Sequence, residues 1–299
     1  MLLVEHRWLY MKEKSSSKLK FYISLLLGML ILSWLISSFL GVDVFEGNVA
    51  VIPLQGFISL SDQFVSGSVT TAETLALLEK AKTSAQIKGI ILEVNSGGGR
   101  PVASEVLVNA INNVNKTCVA LIRDVGASGA YWAASACDKI VASKYSLAGS
   151  IGVQSSYIDF AGTLERYNAS YERIVGGELK DLGSSYKELE NHERTILQRK
   201  VDSMHKLFLA DIKEARNLTQ LQMSEISTGV FFTGIEAQEV GLVDVIGQDK
   251  EAKELMEELL NETIQTVKFT PSRSFFQNVP SFFSFLKPKL NQEAGLLMS

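Results

Sequence analysis

Two short stretches of this 299-residue chain combine small residues with a possible nucleophile or with closely spaced backbone donors. The first is Asn95-Ser-Gly-Gly-Gly99, directly after the apolar run Gly89-Ile-Ile-Leu-Glu-Val94. Consecutive glycines let a backbone approach a ligand closely and aim N–H groups into a cleft, as stabilisation of an oxyanion requires. A plain turn has the same composition, and the Gly-x-Gly-x-x-Gly spacing of a dinucleotide site is absent. The second stretch is Gly126-Ala-Ser-Gly-Ala130. Ser128 can either expose its hydroxyl as a nucleophile at a helix N-terminus or simply cap that helix. Its neighbours lack the Gly-x-Ser-x-Gly pattern of an α/β-hydrolase elbow.

A serine nucleophile needs a base. The histidines are His6, in an N-terminal basic tail, and His192 and His205, on a charged stretch that reads as a solvated helix. None has the setting of a triad histidine, which turns attention to lysine. Lys180 lies in Gly176-Gly-Glu-Leu-Lys-Asp-Leu-Gly183, outside any strong helical pattern. As a base near neutrality its pKa must fall from about 10.4 toward 7–8, which requires burial; without burial it is an ordinary surface charge. Cys118 and Cys137 form no Cys-x-x-Cys or Cys/His cluster, so no metal is expected; both read as small buried hydrophobes, with a disulfide between them as the alternative. A formal net charge of −4 argues against a nucleic-acid partner.

The elements that must position these residues alternate. Apolar runs predict strands over Asn48–Gln55, Gly89–Val94, Cys118–Arg123 and Lys139–Ala142. Helical patterns cover Thr71–Lys82, with Thr70 and Glu73 spaced as a capping box, and roughly Val102–Asn115. A short helix follows Ser128 to about Ser135, and longer amphipathic ones cover Asn191–Arg216 and Glu251–Leu260. This alternation predicts an α/β fold with parallel pairing.

Residues 21–42 carry no charge and are long enough to cross a bilayer core as one helix. Arg7, Lys12, Lys14, Lys18 and Lys20 precede them, and Asp43 and Glu46 follow, so the N-terminus is expected in the cytoplasm and the rest outside. The expected organisation is a tail (1–20), an anchor (21–42), a catalytic domain (43–270) and an aromatic-rich tail (271–299). That last tail includes Phe275, Phe276, Phe282, Phe283 and Phe285, and suits a lipid interface, a cover for the cleft or part of the core. Four Asn-x-Ser/Thr sequons begin at Asn115, Asn168, Asn217 and Asn261.

In this order, Asn95–Gly99, Gly126-Ala-Ser-Gly-Ala-Tyr131, Gly149-Ser-Ile-Gly-Val153, Gly177-Glu-Leu-Lys-Asp-Leu-Gly183 and Thr233–Asp244 resemble the signal peptide peptidase A family of serine–lysine membrane proteases. The resemblance implies a Clp/crotonase-like fold, a parallel-rich sheet with flanking helices, preceded by one transmembrane helix. It implies Ser128 as nucleophile, Lys180 as base, backbone N–H groups of Gly98 and Gly129 as oxyanion hole, and Ser150 as the residue orienting the lysine. No cofactor is implied. The expected substrates are hydrophobic peptides, signal peptides among them, cut at a prokaryotic cell membrane by a ring-like homo-oligomer, an octamer in the family. The family usually has proline where Gly97 stands, so this loop is expected to be more mobile. A membrane protease acting with a stomatin-like partner, a crotonase-type acyl-CoA enzyme and a catalytically dead scaffold that only binds peptides are the alternatives.

Overall fold

The computed structural model describes residues 22–33, 46–60 and 70–270. It divides into two units, residues 1–46 and residues 47–299. In the first, residues 22–33 form a helix, α1, with exposed side chains. Among the described residues, no helix is long and apolar enough to cross a membrane. The remainder of the expected 21–42 anchor, and the whole 271–299 tail, lie outside the described residues.

The second unit is a mixed α/β structure with a parallel-rich sheet, as the alternation of elements predicts. Strands β1 (Val49–Gln55), β2 (Gly89–Ser96) and β3 (Thr117–Ala127) pair in parallel through helices α2 (Thr71–Thr83) and α3 (Pro101–Asn112). The capping box at α2 is present: Glu73 N–H donates to Thr70 Oγ1 and Thr70 N–H to Glu73 Oε2. Proline at the first position of α3 matches a site whose N–H has no helical partner.

The third strand runs four residues past the expected Cys118–Arg123. Its first half pairs with β4 (Lys139–Ala142) and its second half, Val125–Ala127, with β5 (Leu147–Gly149). This extension delivers Ser128 to the sheet's C-terminal edge. There α4 (Gly129–Ser135) begins, and its Ala130, Ala133 and Ala134 are fully buried.

Beyond α5 (Ala161–Arg166), α6 (Asn191–Arg216), α7 (Gln220–Ile226) and α8 (Gly234–Glu239) stand short strands β6 (Phe231–Thr233) and β7 (Val245–Ile246). Helix α9 (Asp249–Leu260) and β8 (Thr266–Lys268) complete the described domain. The sheet order is β6-β5-β3-β2-β1-β8, with β4 beside β3 and β7 beside β4; of these pairings only β5–β6 is antiparallel.

Side chains alternate across a strand, and both faces here are buried. Val49, Ile91, Val119, Leu121 and Val141 pack with Ala252 and Met256 of α9. Ile90, Leu92, Ala120 and Ile122 point the opposite way and are equally inaccessible. Full burial of a side chain such as Ile or Leu contributes roughly 1.5–3 kcal/mol, so a helix-covered sheet holds its strand ends rigidly. The site sits on those ends.

Candidate active site

Ser128 is the junction of β3 and α4. Its φ of +52° with ψ of −127° is a conformation that a residue with a Cβ rarely adopts. Such an outlier typically costs on the order of 1–3 kcal/mol and persists where surrounding packing imposes it. Here the Ser128 N–H donates to the Gly149 carbonyl at 2.7 Å, and the Ser128 carbonyl accepts from Trp132 N–H at 3.0 Å. Its Oγ makes no capping hydrogen bond. The backbone is thus that of a strained strand–serine–helix turn, although the Gly-x-Ser-x-Gly pattern is missing.

The glycines around Ser128 are there for space. A Cβ on Gly129 would lie 2.1 Å from Ser104 Oγ, in fully buried α3 packing. Gly98 has φ +96°, and a Cβ on it would lie 2.8 Å from Gly129 N and 2.9 Å from Ser128 Cβ. The loop after β2 therefore touches the start of α4 directly. The N–H of Gly129 has no acceptor among the described residues, as befits the first turn of a helix. The Gly98 N–H donates to Ser96 Oγ at 3.1 Å, and Ser96 in turn donates to the Gly56 carbonyl at 2.5 Å. Gly99 is locked against Ile58, whose N–H donates to the Gly98 carbonyl at 3.0 Å.

Ser150 follows the β5 residue that pairs with Ala127, so it lies beside the serine turn. Its φ is +49°, and its Oγ donates to the Gly229 carbonyl at 3.3 Å. His205 is half-buried and within 3.0 Å of the Ile151 carbonyl, so it braces the Gly149–Gly152 turn rather than standing in solvent as its charged helix implies. His192 lies 3.3 Å from Glu190.

Lys180 is exposed, and no hydrogen bond joins it to Ser128 within the chain. Ser128, Gly98, Gly129 and Ser150 are brought together; Lys180 is not among them. Its turn is fastened elsewhere. Arg173 forms a forked pair with Asp181, and Lys187 bridges Asp181 to the buried Glu193 at the start of α6. The Arg173 guanidinium holds the Asp181 carboxyl below the usual carboxylate range, and Lys187 does the same to Glu193. Sequence patterns missed this network, although Asp181 directly follows Lys180. Helix α6 continues until its Phe208 meets Trp132 of α4, ring centroids 5.3 Å apart.

Cys118 and Cys137 form a disulfide with Cα atoms 4.7 Å apart, rather than standing as two separate small hydrophobes. It ties the start of β3 to the segment after α4, closing the chain around Ser128. Among the described residues no group of three or more His, Cys, Asp or Glu side chains could hold a metal ion. A cavity of about 530 Å³ lined by Tyr145, Gly247, Gln248 and Asp249 includes none of the site residues.

Fold and turn together define an α/β protein with a strained, uncapped serine at the end of a parallel strand. Residues 110–263, half of the chain, match the model of peptidase family S49. A Methanocaldococcus jannaschii protein assigned provisionally as a protease is 32% identical over 187 residues, 62% of this chain and 60% of its own. Protease 4 of Haemophilus influenzae is 30% identical, over 73% of this chain and 36% of its own. The chloroplastic serine protease SPPA of Arabidopsis thaliana is 29% identical, over 70% of this chain and 32% of its own. The chain thus spans about a third to three fifths of these relatives' lengths. It belongs to peptidase family S49, of the signal peptide peptidase A type.

Proposed function

We propose that this peptidase is a membrane-anchored serine endopeptidase of Clp/crotonase-like fold in which Ser128 is the nucleophile and Lys180, supplied by a neighbouring protomer, is the base. The observation that carries the reading is the uncapped Ser128 hydroxyl on a strained turn beside the open N–H of Gly129. A serine that served only as an N-cap would use its oxygen on the helix; this one does not.

Two features support a base from the next protomer. Glu193, which holds the Lys180 turn, and Phe208, which meets α4, are separated by about 22 Å of helix at 1.5 Å per residue. The segment carrying Lys180 also exposes apolar side chains, among them Ile158, Phe160 and Ile174, the last 96% exposed. Covering that face with a second copy would remove apolar surface from water and supply the burial that a neutral lysine requires. A closed ring fits such a head-to-tail contact, an octamer being the family's form.

In the proposed reaction Lys180 Nζ takes the Ser128 Oγ proton as Oγ bonds to the peptide carbonyl carbon. The oxyanion accepts from Gly129 N–H and from Gly98 N–H. The latter exchanges its neutral bond to Ser96 Oγ for a stronger charge-assisted one. The Lys180 ammonium returns the proton to the departing amine, leaving an acyl-serine. A water deprotonated by Lys180 then attacks that ester and regenerates Ser128. Ser150 orients the lysine from the adjacent turn.

Residues 21–42 are proposed to cross a prokaryotic cell membrane once, leaving the catalytic domain outside. That placement gives access to hydrophobic peptides, signal peptides among them, left in the bilayer.

Hydrolysis of a hydrophobic reporter peptide by the full-length protein tests the scheme. Ser128→Ala and Lys180→Ala are each expected to be inactive. Co-assembled one to one, they recover about a quarter of wild-type activity, because random assembly places an intact serine next to an intact lysine at that frequency. Activity in Ser128→Ala alone rules out the nucleophile; no recovery on mixing rules out the shared dyad.

A further inference from the structure

The turn that carries Lys180 is gripped from both sides by charge. Arg173 Nε and Nη2 donate to Asp181 Oδ2 and Oδ1 at 2.6 and 2.9 Å, and Nη2 also donates to the Glu178 carbonyl. One guanidinium therefore closes both ends of the segment 178–181. On the other side Lys187 Nζ lies 3.7 Å from Asp181 Oδ1 and 2.6 Å from Glu193 Oε1. Glu193 is buried in the first turn of α6, where its Oε2 accepts from the Glu190 N–H at 3.2 Å. Within the grip, the Lys180 N–H donates to the Gly177 carbonyl at 3.1 Å and the Ser184 N–H to the Asp181 carbonyl at 2.9 Å.

The segment lies outside the sheet. It has no strand partner, and Gly177 and Gly183 at its ends have φ of +100° and +76°. The Asp181 side chain is nevertheless only 8% exposed. A solvated connector has no use for a carboxylate held by a forked guanidinium, a backbone carbonyl tied to the same cation, and a second cation leading to a helix start. Lys180 is the side chain that none of these bonds engages.

We infer that Asp181, clamped by Arg173, is a positioning residue that fixes the direction in which Lys180 leaves its turn, with Lys187 and Glu193 tying that direction to α6. The inference rests on the Ser128–Lys180 reading. Charged groups reach Asp181 from three stretches: Arg173 before the turn, Lys187 after it, and Glu193 behind Lys187 on α6. Because Arg173 holds the Asp181 carboxyl below the usual carboxylate range, the clamp stays ionised wherever Lys180 works as a base.

The experiment compares full-length, detergent-solubilised wild type with Asp181→Asn, Arg173→Ala and Lys180→Ala on a hydrophobic reporter peptide across pH. A displaced catalytic group of this kind costs on the order of 10²-fold in rate, so kcat is expected to fall by about that factor in Asp181→Asn and Arg173→Ala, with KM within about twofold of wild type. The limb of the pH profile on which the rate rises as the base loses its proton separates positioning from mere support of the fold. Loss of a carboxylate beside an ammonium lowers its pKa, so the midpoint moves down in Asp181→Asn; loss of the guanidinium moves it up in Arg173→Ala. A purely structural clamp would lower the melting temperature and the yield of assembled protein with an unmoved midpoint, and that result overturns the inference. So does wild-type kcat in both variants. Lys180→Ala keeps the two claims apart: its survival refutes the dyad, whereas an inactive Lys180→Ala beside fully active clamp variants refutes only the positioning. Should Asp181→Asn fail to assemble, Arg173→Lys keeps the charge without the fork. It is expected to lose kcat with an unshifted midpoint, and full activity there overturns the inference.

Discussion

Gly97 and Gly98 are neighbours in one loop, yet alanine is expected to have opposite effects at the two positions. At Gly98 the new Cβ would stand 2.8 Å from both the Ala127 carbonyl oxygen and Gly129 N, and 2.9 Å from Ser128 Cβ. Two of those atoms are backbone and the third is the Cβ of Ser128, so no side-chain rotation relieves the contact. The φ of +96° adds strain on the order of 1–3 kcal/mol for a residue with a Cβ. In a domain of this size that lowers the melting temperature by roughly 2–4 °C per kcal/mol. The loop must also move off Ser128, which in the proposed mechanism removes an oxyanion donor and is expected to reduce kcat by about 10²–10³-fold. At Gly97 no heavy atom lies within 4 Å of the new Cβ and φ is outside the left-handed region. Alanine there is expected to stabilise by about 0.4–1 kcal/mol through the unfolded chain and to leave kcat unchanged. Peptide hydrolysis and thermal unfolding of the two full-length variants read both effects. Wild-type kcat in Gly98→Ala, or equal losses in the two variants, would refute the proposed role of this loop beside Ser128.

Tyr131 is fully buried and donates its hydroxyl to the Leu242 carbonyl at 2.8 Å; burial pushes that hydroxyl's pKa up. Tyr131→Phe leaves the carbonyl without its donor and is expected to lose about 1–3 kcal/mol in urea unfolding, an unchanged midpoint being the contrary result. The Cys118–Cys137 disulfide spans a separation of 19 residues, and the loop-closure relation gives about 3 kcal/mol for its removal. Melting with and without reductant, beside the Cys118→Ala/Cys137→Ala variant, measures it; equal curves in all samples contradict the bond. The hydrogen-bonded Arg123 guanidinium holds the Asp249 carboxyl low, as Arg173 does for Asp181. For a depressed carboxyl, the contribution is complete above the unfolded pKa of about 3.9 and is lost as pH falls through the folded value. The melting temperature is therefore expected to be flat near neutrality and to drop below about pH 4. The drop should be shallower in Arg123→Gln, and an identical slope would remove Asp249 from the explanation.

Much of the fold was legible because its cues are local. Apolar runs mark β1, β2 and β4, and the Thr70/Glu73 spacing marks the start of α2. The region of α6 followed from its charged amphipathic pattern. The far end of β3 was not legible: Asp124-Val-Gly-Ala127 has weak strand character and is extended by pairing with β5, a contact distant in sequence. The disulfide was hidden for the same reason, since its cysteines lie on separate elements. The four sequon asparagines, Asn115, Asn168, Asn217 and Asn261, all have φ between +50° and +55° at or just after helix ends, a position asparagine tolerates on conformational grounds.

The site was legible in part. Glycines packed tightly around a serine leave a mark in composition, so Gly98, Ser128 and Gly129 could be picked out by type and order. The bond from Gly98 N–H to Ser96 Oγ could not, because it depends on where one hydroxyl points. Arg173, Asp181, Lys187 and Glu193 follow neither a helical nor a strand period and meet only once the chain has folded.

Covalent labelling tests the central claim most directly. The full-length, assembled protein is treated with a fluorophosphonate and digested, and the modified peptide is identified by mass spectrometry. The adduct is expected on Ser128, and in Lys180→Ala it should form at least about 10²-fold more slowly, the rate loss typical of a missing general base. An adduct on another serine, or labelling of Ser128 at the wild-type rate without Lys180, would contradict the account.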